Sequence, residues 1–506
     1  MIPDALIDAL HLDDDAAGMA GVLSDWCEEH ELSDLANYLR LTIAMRVEPE
    51  SPDWFQWRDA ASWLRWKCTQ EWDFHRMNWR WCDPEFGQFG LDFGEIAVSR
   101  WMWSPSPRIS QVAQRSLVVD ANGVRGLPLV LSQEWALRWH RCRVDVSADA
   151  AVRVWQQLVE LREHWRFRHL DLPWLDWSLV ELPGAERLQS LRLSQMNGDL
   201  AEDAATIRAL VQGEGLPQLQ SLALDCGRDP DLLERVGLSA SGPWRPLRAL
   251  QIQNHGADRE TMTHLGNWLA AGGIERFAFV DCGRRTNHAP IDALLDQTSR
   301  ACQLRELDFT GTYLPAQVMH RLATWPGMAT IRTLRIVPSG VNDAALLSLG
   351  YSTLVNQLRI LELRGGDFSP LGLVTLAESP LAESLCELAL GTRQDAEPAD
   401  WCWALSVMGH RMTNVLRLTL DVFGSAMRLP MILESDAFQW PELRELQVAC
   451  PPTPIIMRSL NDSSRFPRLW RIRWPRTVRT TEYWDVELPT GWAWASAQDL
   501  VRKDQP

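Results

Sequence analysis

Apolar and polar positions along this chain follow two periods in turn. Between residues 304 and 390 a six-residue phrase, apolar at its first, fourth and sixth places, returns four times. The copies read Leu304-Arg-Glu-Leu307-Asp-Phe309, Ile331-Arg-Thr-Leu334-Arg-Ile336, Leu358-Arg-Ile-Leu361-Glu-Leu363 and Leu385-Cys-Glu-Leu388-Ala-Leu390. Their first positions, 304, 331, 358 and 385, lie 27 residues apart. The last two apolar places bracket one other residue, the period-2 pattern of a strand with one face buried. The pattern then lengthens. Asn342-Asp-Ala-Ala-Leu346-Leu347-Ser-Leu349-Gly350 opens on a capping Asn and closes on Gly. Ser369-Pro370-Leu371 opens on a capping Ser with Pro at the first helical place. Each unit is therefore predicted to be a short strand followed by a helix.

Further copies begin at Phe167, Leu188, Leu219, Leu247, Ile274, Val415, Leu443 and Leu469, with a degenerate one at Trp139, Cys142 and Val144. A step in the twenties carrying L-x-x-L-x-L resembles the leucine-rich-repeat family, and steps of 27–30 resemble its ribonuclease-inhibitor-like kind. The resemblance implies an α/β solenoid: a horseshoe with a parallel concave sheet and outer helices. Cys282 stands where that pattern places Asn or Cys after the last Leu, whereas Cys226 and Asn254 arrive one residue early.

Residues 4–47 read as helices. Met19, Val22, Leu23, Trp26 and Cys27 form one apolar face, and Leu35, Leu39 and Leu41 to Ile43 form another. Asp25-Trp26-Cys-Glu28-Glu29 followed by Arg40-Leu41 resembles the repeat-companion domain, a short bacterial module found ahead of repeat arrays. Cys27 and His30 depart from its usual phrase, and the resemblance carries no activity. The expected organisation is an acidic helical domain at 1–50, a Trp-rich connecting and capping region at 51–138, the repeats at 139–475, and a C-terminal cap and tail at 476–506. Trp54, Trp57, Trp63 and Trp66 fall at helical spacings. They are expected to be buried between the helical cap and the first repeats. The competing reading is a platform on which sugars or bases stack.

The charge of −16 changes the picture of possible partners. Twelve Asp and Glu against Arg40 and Arg46 give −10 within residues 1–50, leaving −6 for the rest. Nucleic acid and anionic membrane need clustered Lys and Arg, so neither is expected as the main ligand. An acidic start without a long apolar run, and ten cysteines without a C-x-x-C pair, point to a cytoplasmic chain with reduced thiols, monomeric by itself.

No nucleotide-binding, zinc-protease or serine-hydrolase motif occurs, so no catalytic residue, metal or cofactor is expected. What remains is the outward side of the strands. There the candidates for partner binding are Arg276, Glu306, Asp308, Arg335, Glu362, Arg364, Glu387, Arg417 and Glu445, with Ala278, Thr333, Ile360, Ala389, Thr419, Asp421, Gln447, Arg471 and Arg473 on the same ladder. These charges either pair with one another across parallel strands and keep the face soluble, or form a charge-patterned surface for a protein. As exposed strand residues they are expected to affect stability little. The favoured function is a non-catalytic protein-interaction scaffold of unknown partner. The rival is an enzyme or ligand-binding protein whose site lies in residues 1–130.

Overall fold

A computed structural model describes residues 16–48, 51, 53–71, 95–97, 116–120, 141–145, 154, 168–172, 185–193, 207–212, 215–226, 233, 247–254, 259–270, 273–282, 291–297, 303–337, 340–424, 428–462, 464–474, 488, 492–496 and 499–502. It is a mixed α/β structure whose strands are mostly parallel and belong to a sheet that does not close on itself, compatible with a solenoid. The chain divides into two units. The first is Met1–Asp199 with Gly213–Gln220 and Pro506, and the second is Leu200–Gln212 with Ser221–Gln505.

In the first unit three helices, α1 (Ala16–Glu29), α2 (Ser33–Val47) and α3 (Trp54–Glu71), share one core. Leu23 and Cys27 are one helical turn apart on α1, as are Leu35 and Leu39 on α2. All four are buried together with Ala61 and Leu64 of α3. The buried hydroxyl of Ser24 donates to the carbonyl of Ala36 at 3.1 Å, so its polarity is satisfied inside that core. The third helix thus belongs with the first two, although its tryptophans suggested a connector.

Trp54, Trp57 and Trp63 are half-buried rather than enclosed. Trp63 packs against the three-helix core, and the Trp54 indole donates to Met45 O at 3.0 Å. The Trp66 side chain and the later tryptophans of this stretch, Trp72 to Trp103, lie outside the described residues, as do residues 1–15.

Five strands follow in this unit: β1 (Glu95–Ala97), β2 (Ser116–Asp120), β3 (Arg141–Asp145), β4 (His169–Leu172) and β5 (Ser190–Leu193). Neighbours pair in parallel. The pairing begins upstream of residue 139, because Leu117 and Val119 stand level with Cys142 and Val144. Ser116-Leu-Val-Val-Asp lacks the first apolar place of the phrase, which hid it from a search for the full pattern.

The second unit carries the regular repeats. Its parallel strands are β6 (Ser221–Asp225), β7 (Ala249–Gln253), β8 (Arg276–Val280), β9 (Glu306–Asp308), β10 (Thr333–Ile336), β11 (Ile360–Gly366), β12 (Glu387–Thr392), β13 (Arg417–Phe423), β14 (Glu445–Val448) and β15 (Arg471–Arg473). Each pairs in parallel with the next. The register places Leu307, Leu334, Leu361, Leu388, Leu418, Leu446 and Ile472 side by side, all buried. That row is the spine of the core, and each strand buries its apolar side chains against its neighbours in sequence.

Helices α4 (Arg259–Ala270), α5 (Ile291–Gln297), α6 (Ala316–Thr324), α7 (Asp343–Gly350), α8 (Pro370–Ala377), α9 (Pro398–Arg411), α10 (Arg428–Glu434) and α11 (Pro454–Leu460) alternate with these strands. The expected caps are present: Asn342 accepts from Ala345 N at 3.0 Å and Ser369 from Gly372 N at 3.2 Å. The Asp343 carboxylate also accepts from the Ser369 amide and hydroxyl, both at 2.7 Å, tying α7 to the start of α8. A side chain at Gly372 would collide with that carboxylate, so the tie requires glycine there.

At the turns after several strands, side-chain polar groups supply the hydrogen bonds. The buried Thr312 hydroxyl donates to Phe279 O at 2.7 Å and accepts from Cys282 N at 3.0 Å, and Thr392 donates to Phe368 O at 2.9 Å. Asn254 takes a left-handed backbone and donates to Asp225 at 2.7 Å. Buried turn backbone needs such partners whichever residue supplies them. The C-terminal segment reverses the strand direction. Strand β17 (Asp499–Arg502) runs antiparallel to β15, and β16 (Trp492–Ser496) antiparallel to β17.

Candidate functional site

Strand alternation sends every second side chain of the second unit away from the buried leucine row. On β9 to β15 those side chains are mostly charged, and the parallel register brings acid beside base. Arg335 on β10 lies between two acidic strands. It pairs with Glu306 and, at 3.8 Å, with Asp308 of β9, and its Nε is 3.6 Å from Glu362 of β11. Glu362 also pairs with Arg364, which reaches Asp421 of β13 at 3.5 Å. That last pair spans β12 because Gly391 leaves room. A Cβ there would stand 2.9 Å from the Cβ of Asp421 and 3.6 Å from the Cα of Arg364.

A second group continues toward the C-terminus. Arg417 of β13 lies 3.5 Å from Glu387 of β12 and 3.2 Å from Glu445 of β14. Glu445 is 3.8 Å from Arg471 of β15. Asp499 of the reversed strand β17 closes the series, at 3.1 Å from Arg471 and 3.0 Å from Arg473. Nothing in the sequence before Asp499 marks it as a partner for these arginines. Only its antiparallel register, Arg473 opposite Asp499, brings it there.

Of the nine candidate residues, eight are therefore joined in ion pairs, and Arg276 is not. It is exposed on β8 and enters no ion pair among the described residues. The others are less open than exposed strand positions. Side-chain exposure is 26% for Arg335, 16% for Glu362 and only 4% for Glu445, so their pairs are partly shielded from water. Thr333 and Ile360, expected on the open ladder, are buried. They stand level with Glu306 and Glu387 in the register, beneath the longer charged side chains. Burial pulls Arg335 down, but Glu306, Asp308 and Glu362 together overcome it and hold the guanidinium above its ordinary range. Changes here consequently disturb stability more than substitutions at open positions do.

Elsewhere in this unit the exceptional charge is Arg465, a buried cation. It donates to the carbonyls of Leu433 at 3.0 Å, Ser435 at 2.5 Å and Phe438 at 3.1 Å. Burial holds it below its ordinary range, against the weaker pull of Asp436 and Asp462. It touches the carbonyl end of α10 and closes a structural gap rather than forming a ligand site.

Among the described residues no three His, Cys, Asp or Glu side chains converge in a metal-holding arrangement, and no helix is long and apolar enough to cross a membrane. Compared with known proteins, the chain matches no protein-family model and no curated protein.

Proposed function

We propose that this chain is a non-catalytic protein-interaction scaffold of the leucine-rich-repeat kind, with the outward side of its strands as the docking surface and α1 to α3 as a repeat-companion-like module. The observation that carries the reading is the contrast between the two faces of the strands. One face is a buried row of apolar side chains. The other holds partly exposed, mutually fixed charged side chains over consecutive strands from β9 to β15. Groups already held in place lose little freedom when a partner docks, and their charge order selects among partners. Repeat arrays commonly bind proteins, and that step rests on analogy of fold. A cytoplasmic setting belongs to the same proposal.

The test uses a bulky side chain at a half-exposed position within that face, Thr419→Trp on β13, which lies outside the leucine row and stands level with the uncharged Ala389 and Gln447. The control is Leu371→Arg on α8, an exposed helical position. Partners captured from the native cell by wild type are expected to be lost with Thr419→Trp at unchanged melting temperature and retained with Leu371→Arg. Equal capture by Thr419→Trp and wild type would overturn the reading.

A further inference from the structure

We draw no further inference here: the strongest candidate, the exposed apolar side chains Leu347, Leu371, Trp403, Met431 and Ile455 on the successive helices α7 to α11, carries no proposal, because nothing in the structure shows what covers them.

Discussion

The guanidinium of Arg465 donates to the carbonyl of Leu433 at 3.0 Å, linking positions thirty-two residues apart in the chain. Leu433 lies in the last turn of α10, where carbonyls lack partners within the helix. Arg465→Met keeps much of the volume but leaves the carbonyls of Leu433, Ser435 and Phe438 without this donor. The expected loss is about 3 kcal/mol, read by chemical denaturation. Arg465→Lys has one charged centre for three separated carbonyls and is expected to recover only part of it. No loss in the Met variant would show that water replaces the donor.

Leu334 offers a cleaner measure of the leucine row. It is fully buried and stands level with Leu307 and Leu361. Leu334→Ala is expected to cost about 2–5 kcal/mol. Leu347→Ala, on the exposed side of α7, is expected to stay within about 0.5 kcal/mol. Similar losses at the two sites would contradict the burial that defines the core.

The ion pairs predict an ordering on one face. Arg335→Ala leaves Glu306 and Asp308 without their cation and Glu362 with Arg364 alone, and is expected to cost about 1–3 kcal/mol. Arg276→Ala removes an exposed cation and is expected to cost less than about 0.5 kcal/mol. Melting temperatures at low and high salt check both. Added salt is expected to narrow the gap, because screening weakens the attraction and the repulsion left behind.

Buried thiols give a prediction in pH. Burial pushes Cys27 up to about 11, from an ordinary value of 9.0. Burial with the nearby Asp171 pushes Cys142 up to about 12, and burial with Glu434 does the same for Cys450. The neutral thiol is thus favoured in the folded chain. Its contribution to stability is complete below about pH 9, where unfolded thiols are also neutral, and is lost as pH rises from there toward 12. At pH 8.5, labelling of these thiols is expected to be slow in buffer and fast in denaturant. Cys450→Val is expected to move the alkaline unfolding midpoint upward, and an unchanged midpoint would show that other groups control it.

The repeat phrase made the strands of the second unit legible because each places two apolar residues around one outward residue. Leu307, Leu334, Leu361 and Leu388 stand side by side as that spacing requires. The capping residues Asn342 and Ser369 were equally readable, since their chemistry is local. The first unit was less legible. Its parallel pairing at Ser116–Asp120 involves apolar side chains without the full phrase, and α3 joins α1 and α2 through Ala61 and Leu64, small signals beside four tryptophans. On the strand face, identity and side were readable but burial was not. Glu445 is nearly enclosed because Arg417 and Arg471 approach it from both neighbouring strands, a relation between residues 28 and 26 positions away. Asp499 depends on an antiparallel return that no periodicity announces.

The equal steps from 304 to 385 have a consequence for how such a chain can change length. Removing residues 331–357 excises one whole unit and brings β9 against β11. The apolar row survives, since Leu307 and Leu361 both stand level with Leu334. The charged row does not. Asp308 then meets Glu362 directly, because both stand level with the deleted Arg335, and like charges facing each other destabilise a strand pair. Units that are interchangeable on their apolar side are thus ordered on their ionic side, so loss or duplication of a single unit carries a penalty set by charge sequence. Removing two adjacent units, residues 331–384, sets Asp308 against Ala389 but brings Glu306 level with Glu387, so a like-charge contact arises there instead. Copy number in this stretch is therefore held by charge order against the loss of one unit and of two alike.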